Sequence, residues 1–322
     1  MSIEARALTK RYGDKTAVDN LTFTVRSGAV TGFLGPNGAG KTTTIRLILG
    51  LDYPTKGSAT VNGKPFSALY SPMREVGALL DAKAVHGGRS AYNHLLCLAQ
   101  TNDIPRIRVD EVLSIVGMSE VARKRSGGFS LGMNQRLGIA ATLLGDPEIL
   151  IFDEPVNGLD PEGILWIRNL MKELAAEGRT VLLSSHLMSE MENTADQLIV
   201  IGKGKLIAEC SMAEFIARST HQAVRAKTAQ PTELARAVTT AGGQVTTTGT
   251  AAPGRSTELE VRGLTPERVG EVAFAAGVPL HLLAPLRASL EEAFMELTAD
   301  SVEYQGAAHE LRQLAESGTE AR

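Results

Sequence analysis

One eight-residue run constrains this chain more than any other: Gly35-Pro36-Asn37-Gly38-Ala39-Gly40-Lys41-Thr42. It satisfies the pattern GxxxxGK[ST] in full. Before it, Val30-Thr31-Gly32-Phe33-Leu34 reads as a short buried strand; after it, Thr42-Thr43-Thr44-Ile45-Arg46-Leu47-Ile48-Leu49 reads as the opening of a helix. Gly35, Gly38 and Gly40 let the backbone wrap an anion with its N–H groups turned inward, which a Cβ at those places would hinder. The helix start behind them adds the positive end of the helix dipole. Lys41 then supplies a point charge for the β- and γ-phosphates of a nucleotide, Thr42 a hydroxyl for Mg²⁺, and Thr43 a further phosphate contact. A tight strand-to-helix turn with no ligand needs glycines but has no use for Lys-Thr directly after them.

A second apolar run, Ile149-Leu150-Ile151-Phe152, ends in Asp153-Glu154. A strand without charge is the form of a parallel strand buried on both faces, and its C-terminal end is where open α/β sheets take ligands. Asp153 suits a Mg²⁺ site; Glu154, one residue on, could orient or deprotonate a water that attacks the γ-phosphate. Asp160-Pro161 reads as a helix N-cap followed by proline at the first helical position, and Ile164, Ile167, Met171, Leu174 and Ala175 give the next helix an apolar face. A third apolar run, Val181-Leu182-Leu183, leads through Ser184 and Ser185 to His186. His186 follows the next strand in sequence, so it reads as a γ-phosphate sensor, the other reading being a structural histidine. Trp166 and the remaining histidines carry no assignment.

Composition excludes several classes. Net charge −3 and a pI near 6.1 give no global footprint for nucleic acid. Two cysteines, Cys97 and Cys210, form no disulfide framework and point to a reducing compartment. The N-terminus Met1-Ser2-Ile3-Glu4-Ala5-Arg6 has no apolar stretch of secretory type, and no window reaches the roughly 18 uninterrupted apolar residues of a membrane span. At 322 residues there is room for two domains.

The organisation follows from patterning. Strand-like runs (Ala17 to Val25, Val30 to Leu34, Ser58 to Val61) fill the first 75 residues around the phosphate-loop helix. Residues 82–145 read as mostly helical, with Ala91 to Gln100 and Val109 to Val116 as clear pieces, and Leu198–Ile201 with Leu206–Ala208 reads as a closing hairpin. Composition shifts near Ser219. From there the pattern predicts strand 223–226, helix 232–241, strands 244–248 and 257–261, helix 266–276, strand 279–283 and helix 290–297. That β-α-β-β-α-β order is ferredoxin-like. A polar tail follows from residue 300.

Residues 1 to about 215 resemble the nucleotide-binding subunit of ABC transporters. Gly35 to Thr43 stand for its Walker A loop, Ile149 to Glu154 for Walker B, Asn157-Gly158-Leu159-Asp160 for the D-loop and His186 for the switch histidine. Phe129-Ser130-Leu131-Gly132-Met133 corresponds to the signature LSGGQ, with Leu131 in place of the first glycine and Met133 in place of the glutamine. Ser130 and Gly132 keep the hydroxyl and the closely approaching backbone N–H that a phosphate needs. Tyr12 stands at the position of the family's adenine-stacking aromatic, and reads either as that ring or as an ordinary strand residue. Asp81 occupies the Q-loop glutamine position, where a carboxylate could still serve Mg²⁺.

The resemblance implies an α/β P-loop NTPase domain of ABC type over residues 1–218, with a helical subdomain at about 82–145, and ATP and Mg²⁺ as cofactors. It implies a head-to-tail dimer in which Ser130 and Gly132 of one copy complete the ATP site of the other, and a separate transmembrane permease. Residues 219–299 resemble the accessory α+β domain of drug and antibiotic export ATPases, whose closing helix looks like Ser289 to Leu297. The expectation is therefore an ATPase motor of an exporter of drugs, antibiotics or lipids, peripheral on the cytoplasmic face of the cell membrane. The alternative is an ATP-gated clamp on a macromolecule such as DNA or the ribosome. One cassette and no sustained heptad run weigh against it.

Overall fold

The computed structural model describes residues 2–81, 85–217, 223–247, 256–286 and 290–298. They form two compact units, the first running to Met212 and the second from Ala213 to Leu297. The tail expected from residue 300 lies outside the described residues.

The first unit runs β1 (Ser2–Tyr12), β2 (Lys15–Arg26), β3 (Ala29–Leu34), α1 (Lys41–Ile48), β4 (Lys56–Val61), α2 (Pro72–Glu75) and β5 (Val76–Leu79). Helices α3 (Ala91–Thr101), α4 (Ile107–Ile115) and α5 (Leu131–Leu143) follow. Then come β6 (Ile149–Asp153), α6 (Pro161–Ala176), β7 (Thr180–Ser184), α7 (Met188–Thr194), β8 (Gln197–Gly202), β9 (Lys205–Ser211) and α8 (Met212–Ala217), the last crossing into the second unit.

Among the described residues, six strands make one sheet in the order β5-β6-β7-β3-β8-β9. The pairs β5/β6, β6/β7, β7/β3 and β3/β8 are parallel, and β9 closes the edge antiparallel to β8. The runs that make its centre, VTGFL, ILIF and TVLLS, are buried without a break. Both faces are covered, so a two-residue alternation has no solvent side to mark. Register places Asp153 of β6 opposite Ser184 of β7, and Ser184 opposite Phe33 of β3. Three loops therefore leave the sheet from one edge: the glycine-rich turn after β3, the acidic turn after β6 and the His186 segment after β7.

A three-stranded antiparallel sheet, β2-β1-β4, packs through Ile3, Leu8, Leu21 and Phe23 onto the core that also holds Phe33 and Ile45. The sequence pattern did not predict β1. Its buried residues Ile3, Ala5 and Leu8 fall out of step because the register slips between Ala5 and Leu8, where Ala7 takes a left-handed φ of 48°. Helix α6 buries Gly163, Ile167, Met171, Leu174 and Ala175, so Gly163 takes the inward place expected for Ile164.

The second unit runs β10 (Ala223–Thr228), α9 (Pro231–Thr240), β11 (Gln244–Thr247), β12 (Thr257–Arg262), α10 (Pro266–Ala275), β13 (Leu280–Leu286) and α11 (Leu290–Thr298). Its strand order β11-β12-β10-β13, antiparallel throughout, is that of a ferredoxin-like unit. Val224, Ala226, Leu259 and Val261 face Leu234, Val238, Val269 and Ala273 of the two helices in one core. Thr265, with Pro266 at the first helical position, caps α10 by accepting from the Arg268 N–H at 3.3 Å.

Candidate functional site

The site is assembled at the sheet edge where β3, β6 and β7 end. Gly40 stands before α1 with φ 103°, and a Cβ there would lie 2.5 Å from the carbonyl oxygen of Ala17, so only glycine can make this turn. As N-cap it brings no side chain to bond the first turn of α1, and no acidic residue lies in that turn. The positive helix end is thereby left to an external anion.

Lys41 is the first residue of α1 and is almost wholly buried. Its Nζ donates to the carbonyl oxygens of Gly35 at 2.6 Å and Pro36 at 3.3 Å, so the ammonium is held against the loop that surrounds it. Burial pushes its pKa below the ordinary lysine value, while the Glu154 and Asp153 carboxylates pull it back up. Thr42 turns its hydroxyl to Asp153 Oδ2 at 3.0 Å. The other Asp153 oxygen accepts from the Ser184 hydroxyl across the strand pair.

Glu154 leaves β6 in the left-handed region, φ 53°, a conformation that costs a residue with a Cβ about 1–2 kcal/mol. Its N–H donates to the backbone carbonyl of Ser184 at 3.1 Å and lies 3.2 Å from the Ser184 hydroxyl. This turn swings the carboxylate off the strand axis to His186, whose Nδ1 lies 2.7 Å from Glu154 Oε2. The structure thus brings Lys41, Thr42, Asp153, Glu154 and His186 together around the end of one sheet.

Ser130 is the N-cap of α5, its hydroxyl accepting from the Met133 N–H at 3.2 Å. Gly132 lies in the first turn, and a Cβ on it would sit 2.9 Å from the carbonyl oxygen of Gly158. Tyr12, at the end of β1, is half-exposed and donates its hydroxyl to Asp52 Oδ2 at 3.0 Å. Arg46 Nε donates to the same oxygen at 2.7 Å, and Lys10 lies 4.9 Å above the ring centre. The Arg46 bond, then the Tyr12 bond, hold the Asp52 carboxyl below its ordinary range. Asp81 is exposed, two residues past the end of β5, whose Leu79 pairs with Phe152. It therefore shares the edge of Glu154.

Sequence reading missed Ser184, Gln135 and Asp52. Ser184 was legible in principle, as a hydroxyl at the end of an apolar strand just before His186. Gln135 bonds a backbone carbonyl 20 residues away, and Asp52 ties Arg46 to Tyr12, which lies 40 residues from it, pairings that spacing alone does not reveal.

Comparison with known proteins decides the family. Residues 18–157 match the family described as ABC transporter. The bacitracin transport ATP-binding protein BcrA of Bacillus licheniformis is 45% identical over 210 residues, spanning 64% of this chain and 69% of that protein. The chain belongs to the ATP-binding subunits of ABC transporters. As one of these ATPases it turns the binding and hydrolysis of ATP to transport. The lantibiotic transport ATP-binding protein SrtF of Streptococcus pyogenes is 35% identical over 207 residues, covering 64% of this ABC subunit and 90% of its own length. A solved ATP-binding subunit of an ABC transporter superposes with a TM-score of 0.62 at 26% identity, over 68% of this chain and 93% of that one. A bacterial ABC transporter cassette solved as a dimer shares the fold, with a TM-score of 0.60 at 22% identity over 65% and 98%. Residues 222–291 match a domain of unknown function.

Proposed function

We propose that this ABC subunit is the motor of an exporter of antibiotics or similar amphipathic compounds, working as a pair of copies on a separate transmembrane permease. The compound class rests on the relatives named for bacitracin and lantibiotic transport. No helix among the described residues is long and apolar enough to cross a membrane, and in this reading the membrane path belongs to a partner. That partner would hold the subunit at the cytoplasmic face.

The observation that carries the chemical reading is the 2.7 Å contact of His186 with Glu154 beside the phosphate loop. Glu154 takes the role of the carboxylate that orients the attacking water and receives its proton, while the P–O bond to the leaving ADP breaks. His186 holds that carboxylate and meets the γ-phosphate. Lys41 exchanges the Gly35 and Pro36 carbonyls for the β- and γ-phosphate oxygens, and Thr43 adds a contact. Tyr12 stacks on the adenine. Ser130 and Gly132 present a hydroxyl and a helix N-terminus to the ATP of the facing copy.

Among the described residues no three His, Cys, Asp or Glu side chains cluster as a self-sufficient metal site. The Thr42 hydroxyl and the Asp153 carboxylate are hard oxygen donors 3.0 Å apart, which suits Mg²⁺ shared with substrate phosphates. Held there, the ion would neutralise charge on the phosphate oxygens. Asp81, at the same edge, serves coupling to the permease. The clamp reading has no observation in its favour.

The test is phosphate release from ATP by the full-length chain, and its stimulation when the chain is reconstituted with its permease in liposomes. Hydrolysis stimulated by the permease supports the motor reading; a chain that binds ATP without releasing phosphate in either setting contradicts it.

A further inference from the structure

The described molecule contains a buried amide that the proposed chemistry does not use. Gln135 lies on α5 and is 4% exposed. Its Nε2 donates to the carbonyl oxygen of Pro155 at 2.8 Å and lies 3.5 Å from that of Glu154. Both neighbours are acceptors, so the side chain must turn its NH₂ end to them, and the Pro155 bond is the stronger of the two. The polypeptide at this point has just passed through the left-handed residue Glu154, and proline at 155 offers no N–H to tie the turn down. Ser184 holds the turn at the Glu154 N–H; Gln135 holds it at the next carbonyl.

A second contact fixes the same two segments. Gly158 adopts φ 78°, and a Cβ on it would lie 2.3 Å from Leu131 Cγ. Leu131 therefore rests against Gly158 from the first turn of α5. A glycine at position 131, as in the family signature, has no side chain to make this contact. The acidic turn is thus gripped at both ends from one helix, by Leu131 at Gly158 and by Gln135 at Pro155.

We propose that Gln135 is a positioning residue for the Glu154 carboxylate, holding the left-handed turn that aims it, with Leu131 as a second support. The inference rests on the reading of Glu154 as the hydrolytic carboxylate. An aiming defect affects the reacting geometry more than nucleotide capture, because the Gln135 amide bonds to the acidic turn and not to Lys41, the glycine-rich loop or Tyr12. The expected signature is a fall in kcat without a matching rise in KM.

The experiment is steady-state ATPase kinetics on the full-length chain with Mg²⁺, comparing wild type, Gln135→Leu, Gln135→Asn and Glu154→Gln. Leucine keeps nearly the same volume without the donor, while asparagine keeps a buried amide but draws it back by one methylene and guards against a leucine variant that fails to fold. Expected is a kcat lower by about tenfold or more for both Gln135 variants, with KM for ATP within about twofold of wild type. A folded Gln135 variant with kcat within twofold of wild type, while Glu154→Gln is inactive, overturns this inference alone. An increase in KM that accounts for the whole loss also overturns it. Wild-type turnover by Glu154→Gln overturns both this inference and the role of Glu154.

Discussion

His186 Nδ1 and Glu154 Oε2 lie 2.7 Å apart, although one residue follows β7 and the other follows β6. The parallel register of these strands, Asp153 opposite Ser184, carries both to one point. The left-handed turn at Glu154 completes the approach. Strand pairing therefore sets the distance between a carboxylate and an imidazole 32 residues apart in sequence.

From this contact, Glu154→Gln should bind ATP normally, lose turnover by about 10²–10⁴-fold and accumulate as a closed dimer. His186→Ala should lower kcat without loss of ATP binding. Phosphate release and size-exclusion chromatography with ATP check both. Unimpaired turnover in the glutamine variant removes Glu154 from the chemistry.

The buried ammonium of Lys41 gives a prediction with two arms. Burial lowers its pKa in the folded state, so the unfolded chain binds more protons between the lowered and the ordinary value. The charge thus costs stability in full below the lowered pKa, and the cost fades as pH rises through it. Lys41→Met should weaken ATP binding by about 10- to 100-fold, the worth of one or two charge-assisted hydrogen bonds. The nucleotide-free variant near neutral pH should melt within about 2 °C of wild type or above it. Calorimetric titration and thermal melts check the pair, and full ATP affinity in the variant would refute the phosphate-binding role.

For Tyr12 the ring and the hydroxyl separate cleanly. Tyr12→Ala should raise KM for ATP about five- to thirtyfold, as loss of 1–2 kcal/mol of stacking requires. Tyr12→Phe keeps the ring and loses only the bond to Asp52, so its KM should stay within about threefold of wild type. Equal KM values for all three proteins would assign Tyr12 to the strand alone.

Asp81→Asn should leave ATP affinity unchanged and weaken the stimulation of hydrolysis by the permease. Stimulation and basal rate measured in liposomes decide it. If neither changes, Asp81 has no part in coupling.

The parts of the site visible in the sequence are those where chemistry fixes residue type. Lys41 and Thr42 stand out because a phosphate loop needs them directly after the last glycine, and Asp153, Glu154 and His186 because each ends an unbroken apolar strand. The ferredoxin-like unit was equally legible, its strands and helices falling within a few residues of the pattern. Conformation was less legible. Nothing in the run Phe152-Asp153-Glu154-Pro155 announces a positive φ at Glu154, and the slipped register of β1 hid a central strand whose apolar residues do not alternate. Gln135 escaped notice because its partner is a backbone carbonyl 20 residues away, a contact that leaves no mark on residue type at the acceptor.

The central claim is a site shared between two copies, Lys41 from one and Ser130 from the other. Mixing two defective variants tests it most directly. At ATP concentrations that fill only the wild-type site Lys41→Met leaves its own site empty, and Ser130→Asp retains a good helix N-cap while setting a negative charge against the nucleotide of the facing copy. Each variant alone should be inactive, and an equimolar mixture should regain ATPase activity, because the mixed pair holds one site with both Lys41 and Ser130 intact. Mixed dimers that form yet remain inactive, or Ser130→Asp hydrolysing at the wild-type rate by itself, would contradict the shared site.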